Sequence, residues 1–128
     1  MATTEAQLKK KILVIDDEDV IRELMGEILD MLGFVPILCG SPVEAIQLFS
    51  DLHNEISLVF MDMMMPEISG RQLYHEFVKI DANKKVIVLS GYSMEHETKK
   101  LMEDGITAFI QKPVSIKELS KIINENIG

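Results

Sequence analysis

Val59-Phe60-Met61-Asp62-Met63-Met64-Met65-Pro66-Glu67-Ile68-Ser69-Gly70 is the stretch on which the fold turns. An apolar run over residues 56–61 stops abruptly at one carboxylate, and a loop punctuated by Pro66 and Gly70 follows. A continuous apolar run of that length is the pattern of a strand buried on both faces. Asp62 then stands at the carboxyl end of a strand, where open α/β sheets gather their ligand chemistry.

Four similar runs flank this one, over residues 12–15, 34–39, 86–89 and 106–110. Between them the apolar period changes from strand to helix. Val20, Ile21, Leu24, Met25, Ile28, Leu29 and Leu32 recur at helical spacing, and Gly33 is a natural stop. Val43, Ile46 and Phe49 supply an inward face behind the capping sequence Ser41-Pro42-Val43-Glu44. Leu73, Phe77 and Ile80 do so behind Ser69 and Gln72, and Leu101 with Met102 in a helix over residues 94–104 that Gly105 ends. Ile116, Leu119, Ile122 and Ile123 form the inward face of the last helix, behind Ser115 and Glu118.

Strands alternating with helices in this way build an α/β fold with a parallel sheet and helices on both faces. Pro36 lies inside the second strand, and a proline lacks the N–H that a doubly paired strand needs. That strand belongs at an edge, which favours a five-stranded sheet of order 2-1-3-4-5 with five helices. The expected organisation is a loose lead-in over residues 1–10 and one domain over residues 11–128.

The chain has 128 residues, of which 47% are hydrophobic and 27% charged, a globular balance. Its formal net charge of -8 disfavours nonspecific contact with nucleic acid or anionic lipid. Cys39 is the only cysteine, so no internal disulfide forms and a reducing compartment is expected. No apolar run is long enough for a membrane span, and residues 1–10 lack the apolar core of a signal peptide. These features lead to the expectation of a cytoplasmic domain.

In this topology the polar residues that end strands one, three, four and five meet at one rim: Asp16 and Asp17, Asp62, Ser90 and Lys112. Clustered carboxylates repel and are tolerated when protonated or when they share a cation. Hard oxygen donors in this number suit Mg²⁺, which leaves room for a phosphate. The Lys112 ammonium and the Ser90 hydroxyl suit a tetrahedral oxyanion beside Asp62. The methionines around Asp62 do not argue for a soft-metal site, because methionine more often fills irregular core space.

The acidic pair Asp16-Asp17, the loop Asp62-x-x-x-Pro66-x-x-x-Gly70, Ser90 with a small residue after it, and Lys112-Pro113 occur in that order over almost the whole chain. With them the sequence resembles the receiver domains of bacterial two-component response regulators, whose fold is flavodoxin-like. The resemblance implies that Asp62 is the nucleophile that takes a phosphoryl group from a phosphohistidine. Asp17, the Asp62 carboxylate and the main-chain carbonyl of Met64 would ligate Mg²⁺, with Asp16 acting through water. Lys112 would pair with the phosphoryl group, and Ser90 would shift inward to bond it. Phe109 matches the aromatic switch position, and it lacks a tyrosine's hydroxyl, so its rotation reads as packing alone. A cis bond between Lys112 and Pro113 also follows from the resemblance.

The implied partners are a sensor histidine kinase or a histidine phosphotransfer protein, with output to another domain or protein through the face of the fourth helix and fifth strand. Neither direct nucleic-acid binding nor membrane binding is expected; a phosphorylation-dependent dimer fits the same face. Such a protein catalyses its own phosphorylation and dephosphorylation without turning over a separate substrate. A phosphatase of the haloacid dehalogenase type wants a second acid where Met64 stands, and an FMN-binding flavodoxin would meet a hostile acidic run at Asp16-Asp17-Glu18-Asp19. A pseudo-receiver that works only as a binding surface is opposed by the intact acidic set. Met64 and Tyr92 occupy the variable positions beside the phosphoryl site, and their bulk is expected to restrain the attacking water. The residues carry no output domain, which suits a stand-alone regulator or a receiver from a larger regulator or hybrid kinase.

Overall fold

The structure, a computed structural model, describes residues 9–91 and 94–127. The expected lead-in lies almost wholly outside these residues, as does Tyr92. The strands are β1 (Lys11–Ile15), β2 (Val35–Cys39), β3 (Ile56–Asp62), β4 (Val86–Ser90) and β5 (Ala108–Gln111). The helices are α1 (Asp19–Met31), α2 (Pro42–Leu52), α3 (Gly70–Ile80), α4 (Glu95–Asp104) and α5 (Ile116–Ile127). All strand pairs are parallel, and the sheet order is 2-1-3-4-5.

The apolar strands divide between two cores, as a pleat of period two requires. Leu13, Ile15, Val59, Met61 and Val88 face one core with Phe49, Leu73, Phe77 and Leu101 from α2, α3 and α4. Ile12, Val14, Leu58, Phe60 and Leu89 face the other with Met25, Ile28 and Leu29 of α1 and Leu119 and Ile123 of α5. Phe49 and Phe77 stack with centroids 4.2 Å apart and so join α2 to α3.

Pro36 sits on the edge strand, as its missing N–H demands. Val35 N donates to Lys10 O (2.8 Å) and Asp16 N donates to Cys39 O (3.1 Å), so the odd residues of β2 address β1. The alternation of the ladder turns the nitrogen of Pro36 to the free margin.

Two strands start later than expected for the same reason. Phe34 N bonds Leu29 O (2.9 Å) and Gly33 N bonds Asp30 O (3.0 Å), closing α1 in a Schellman motif that withholds Phe34 from β2. Ile106 N and Gly105 N close α4 on Leu101 O and Met102 O at 3.1 and 3.2 Å, which delays β5 to Ala108. Gly33 (φ 92°) and Gly105 (φ 117°) supply the left-handed residue that each motif needs. Val20, Val43 and Ile116 were expected inward and are exposed. Val20 lies opposite the buried Leu29 on its helical wheel and Val43 opposite the buried Ala45, while Ile116 is the first residue of α5. Leu24 and Met102 also lie outward, on the flanks of their helices.

Candidate functional site

Asp62 and Ser90 are the last residues of β3 and β4, Asp16 follows β1 directly, and Lys112 follows β5 directly. Lys112 N donates to Ser90 O (2.7 Å) and Met63 N to Leu89 O (3.0 Å), which fixes the relative heights of the strand ends. The Lys112–Pro113 peptide is cis.

Lys112 Nζ donates to Asp62 Oδ1 at 3.2 Å. The same ammonium lies 3.6 Å from Asp16 Oδ2 and 3.7 Å from Glu18 Oε1. Oxygens of Asp16, Asp17 and Asp62 all lie within 4.8 Å of one another. Asp62 is only 3% exposed and Asp16 is fully buried, whereas Asp17 is open to solvent. Asp17, Glu18, Asp62, Met64, Pro66 and Lys112 line a cavity of about 440 Å³.

Burial, and then the neighbouring Asp16 charge, push the Asp62 carboxyl up to about 6 against the pull of Lys112. Burial also raises Asp16, opposed by its bond from Glu18 N and by Lys112. Burial would lower the Lys112 ammonium, yet the Asp62 and Asp16 carboxylates outweigh it and raise its pKa.

The donor set fits a divalent cation. Asp16 Oδ1 accepts from Glu18 N (2.9 Å), but its buried Oδ2 has no hydrogen-bond partner. One ammonium faces three clustered carboxylates, so a second positive charge among these hard oxygens would offset both the repulsion and the orphaned oxygen.

Ser90 is placed at the rim as expected, but its hydroxyl looks elsewhere. Ser90 Oγ lies 2.6 Å from Thr98 Oγ1 of α4. Ser90 and Thr98 line a second, more apolar cavity of about 330 Å³ together with Met102 and Phe109. Phe109, one of its walls, is 47% exposed. The rim therefore brings Asp16, Asp17, Asp62 and Lys112 into one cluster and leaves Ser90 and Phe109 in the adjoining cavity.

Three supporting residues escaped the sequence reading. Arg22 Nη1 donates to the main-chain oxygen of Asp16 at 2.7 Å, and its Nη2 meets Asp19 Oδ1 at 2.5 Å. Gly40 makes room for it, since a Cβ there would lie 2.7 Å from Arg22 Nη1. Thr98 is the third; its one visible signal is the helical spacing that puts it on the buried side with Leu101.

The response regulator receiver domain matches residues 12–124. The chain belongs to that family. A receiver domain structure from Clostridium thermocellum superposes with a TM-score of 0.89 at 34% identity, over 92% of this chain and 94% of that one. The sensor kinase CckA of Brucella abortus is 32% identical over 114 residues, which is 89% of this receiver and 12% of the kinase. The polar-differentiation response regulator DivK of Brucella ovis is 24% identical over 124 residues, covering 94% of this receiver and 98% of DivK. This receiver thus spans a small part of one relative and nearly all of another. Among its described residues no helix is long and apolar enough to cross a membrane.

Proposed function

We propose that this receiver accepts a phosphoryl group on Asp62 from the phosphohistidine of a sensor kinase or a histidine phosphotransfer protein. The observation that carries the reading is the Lys112–Asp62 contact of 3.2 Å within a cluster of three carboxylates. An Asp62 oxygen bonds to phosphorus as the phosphorus–nitrogen bond breaks, and the imidazole leaves with the electron pair and takes up a proton. Asp17, Asp62 and the Met64 carbonyl would hold Mg²⁺, with Asp16 bonding through water. When bound, the metal supplies the charge that lets a carboxylate approach an anionic phosphoryl group. Lys112 stabilises the oxygens of that group from the β5 side, and its raised pKa keeps it charged at neutral pH.

Ser90 then moves to the phosphoryl group and Phe109 turns into the space beside it, so the α4–β5 face changes shape for an output domain, a partner protein or a second phosphorylated copy. The receiver acts on its own carboxylate only and works in the cytoplasm, without direct contact to nucleic acid or membrane. Incubation with acetyl phosphate or beryllofluoride, with and without Mg²⁺, tests the reading on wild type and Asp62→Asn. A mass gain or spectral shift confined to wild type with metal is expected. The same response from Asp62→Asn would overturn it.

A further inference from the structure

We infer that Thr98 is a positioning residue that holds the Ser90 hydroxyl away from Asp62 in the resting receiver and couples its release to the start of α4. The inference rests on the proposed phosphoacceptor role of Asp62. Ser90 and Thr98 are each only 3% exposed, so their hydroxyl protons must find acceptors within the protein.

Three contacts compete for two protons. Thr98 Oγ1 lies 2.7 Å from Met94 O, Ser90 Oγ lies 3.3 Å from Gly91 O, and the hydroxyls lie 2.6 Å from each other. A carbonyl only accepts, so Met94 O needs the Thr98 proton and Gly91 O needs the Ser90 proton. The hydroxyl pair can then form only if one carbonyl bond is given up. The 3.3 Å contact is the weaker, so Ser90 donates to Thr98 and Thr98 donates to Met94 O. The relay ends at Met94, the residue that caps the start of α4.

In this arrangement the Ser90 proton is already committed. To bond a phosphoryl oxygen beside Asp62, Ser90 must abandon Thr98. Thr98 keeps its bond to Met94 O and loses only an accepted bond, which is cheaper than stranding a buried donor. The latch is therefore reversible, and every phosphoryl ligand must oppose it. Because Ser90, Thr98 and Phe109 line one cavity, the same release reshapes the space that the aromatic ring shares with them.

The test is the beryllofluoride affinity of the intact chain at saturating Mg²⁺. Thr98→Val, which keeps the shape and removes the acceptor, should bind about three- to tenfold more tightly than wild type, the equivalent of one net hydrogen bond. Thr98→Ala serves the same purpose should the valine perturb folding. Thr98→Ser, which keeps the hydroxyl, should return the affinity to that of wild type. In a Ser90→Ala background the gain from Thr98→Val should vanish, and the affinity for Mg²⁺ alone should not move in the variants of Thr98 alone. Unchanged or weaker binding by both Thr98→Val and Thr98→Ala would overturn the latch, as would a gain that persists without the Ser90 hydroxyl. Absence of Mg²⁺-dependent beryllofluoride binding by wild type would instead overturn the phosphoacceptor reading and the latch with it.

Discussion

Arg22 of α1 reaches back to the main-chain oxygen of Asp16 and donates to it at 2.7 Å, through space that Gly40 leaves open. The contact pins the turn between β1 and α1, which carries two of the three clustered carboxylates. Groups that orient the ligands of a metal commonly matter nearly as much as the ligands.

Removing this brace is expected to weaken Mg²⁺ binding while the fold survives. Arg22→Ala and Gly40→Ala should each lower Mg²⁺ affinity roughly tenfold, the second by driving a Cβ against the guanidinium. Calorimetric titration with Mg²⁺ checks this. An affinity equal to wild type in both variants would show that the turn holds its shape unaided.

The metal-free protein should lose stability as pH rises through the acid range, in part because of Asp62. Its carboxyl titrates near 6 in the folded state against an ordinary value of 3.8, with burial the first cause. Between those values the folded chain binds more protons than the unfolded chain, so stability falls as pH increases and is lowest above about 6. Asp62→Asn carries no such charge and should be more stable than wild type by about 1–3 kcal/mol at pH 7.5 in EDTA. The gap should close on acidification to about the ordinary carboxyl value, and narrow when Mg²⁺ is added. Urea denaturation across pH measures it, and a gap that widens on acidification would contradict the cause assigned.

Met64 lines the other side of the pocket proposed to take the phosphoryl group. It is 60% exposed, its N–H lies 3.4 Å from Asp62 Oδ1, and it lines the cavity. An apolar side chain there offers an attacking water nothing to bond, whereas an amide would orient one. Met64→Asn should therefore shorten the phosphoryl lifetime, by roughly tenfold if water positioning is the main barrier that the methionine adds. The decay of radiolabelled phosphoprotein in the presence of Mg²⁺ decides it, and a lifetime unchanged or longer would refute the role.

What could be read from residues alone follows a physical division. Asp62 and Lys112 were legible because one ends an apolar run and the other follows one within two residues, and strand ends of a parallel sheet meet at one rim. Pro36 placed β2 at the edge because a missing N–H is a property of the residue itself. Phe34 and Ile106 were misassigned to strands because an apolar residue after a glycine looks alike whether its N–H closes a helix or joins a ladder. Val20 and Val43 are apolar but stand opposite the buried Leu29 and Ala45 on their helices, and Ile116 opens its own, so apolar character alone did not place them. Arg22 and Thr98 were hidden for another reason. Their partners are a main-chain oxygen and a hydroxyl at a distance set only by how α1 and α4 lie on the sheet.

The proline on β2 has a last consequence, for the company that the molecule keeps. An open strand margin is a template onto which a stranger's backbone can zip, and one absent donor leaves a gap in any such seam. Pro36 turns that gap outward, so the flank built by β2 is poorly suited to recruiting a further strand and to runaway fibre growth.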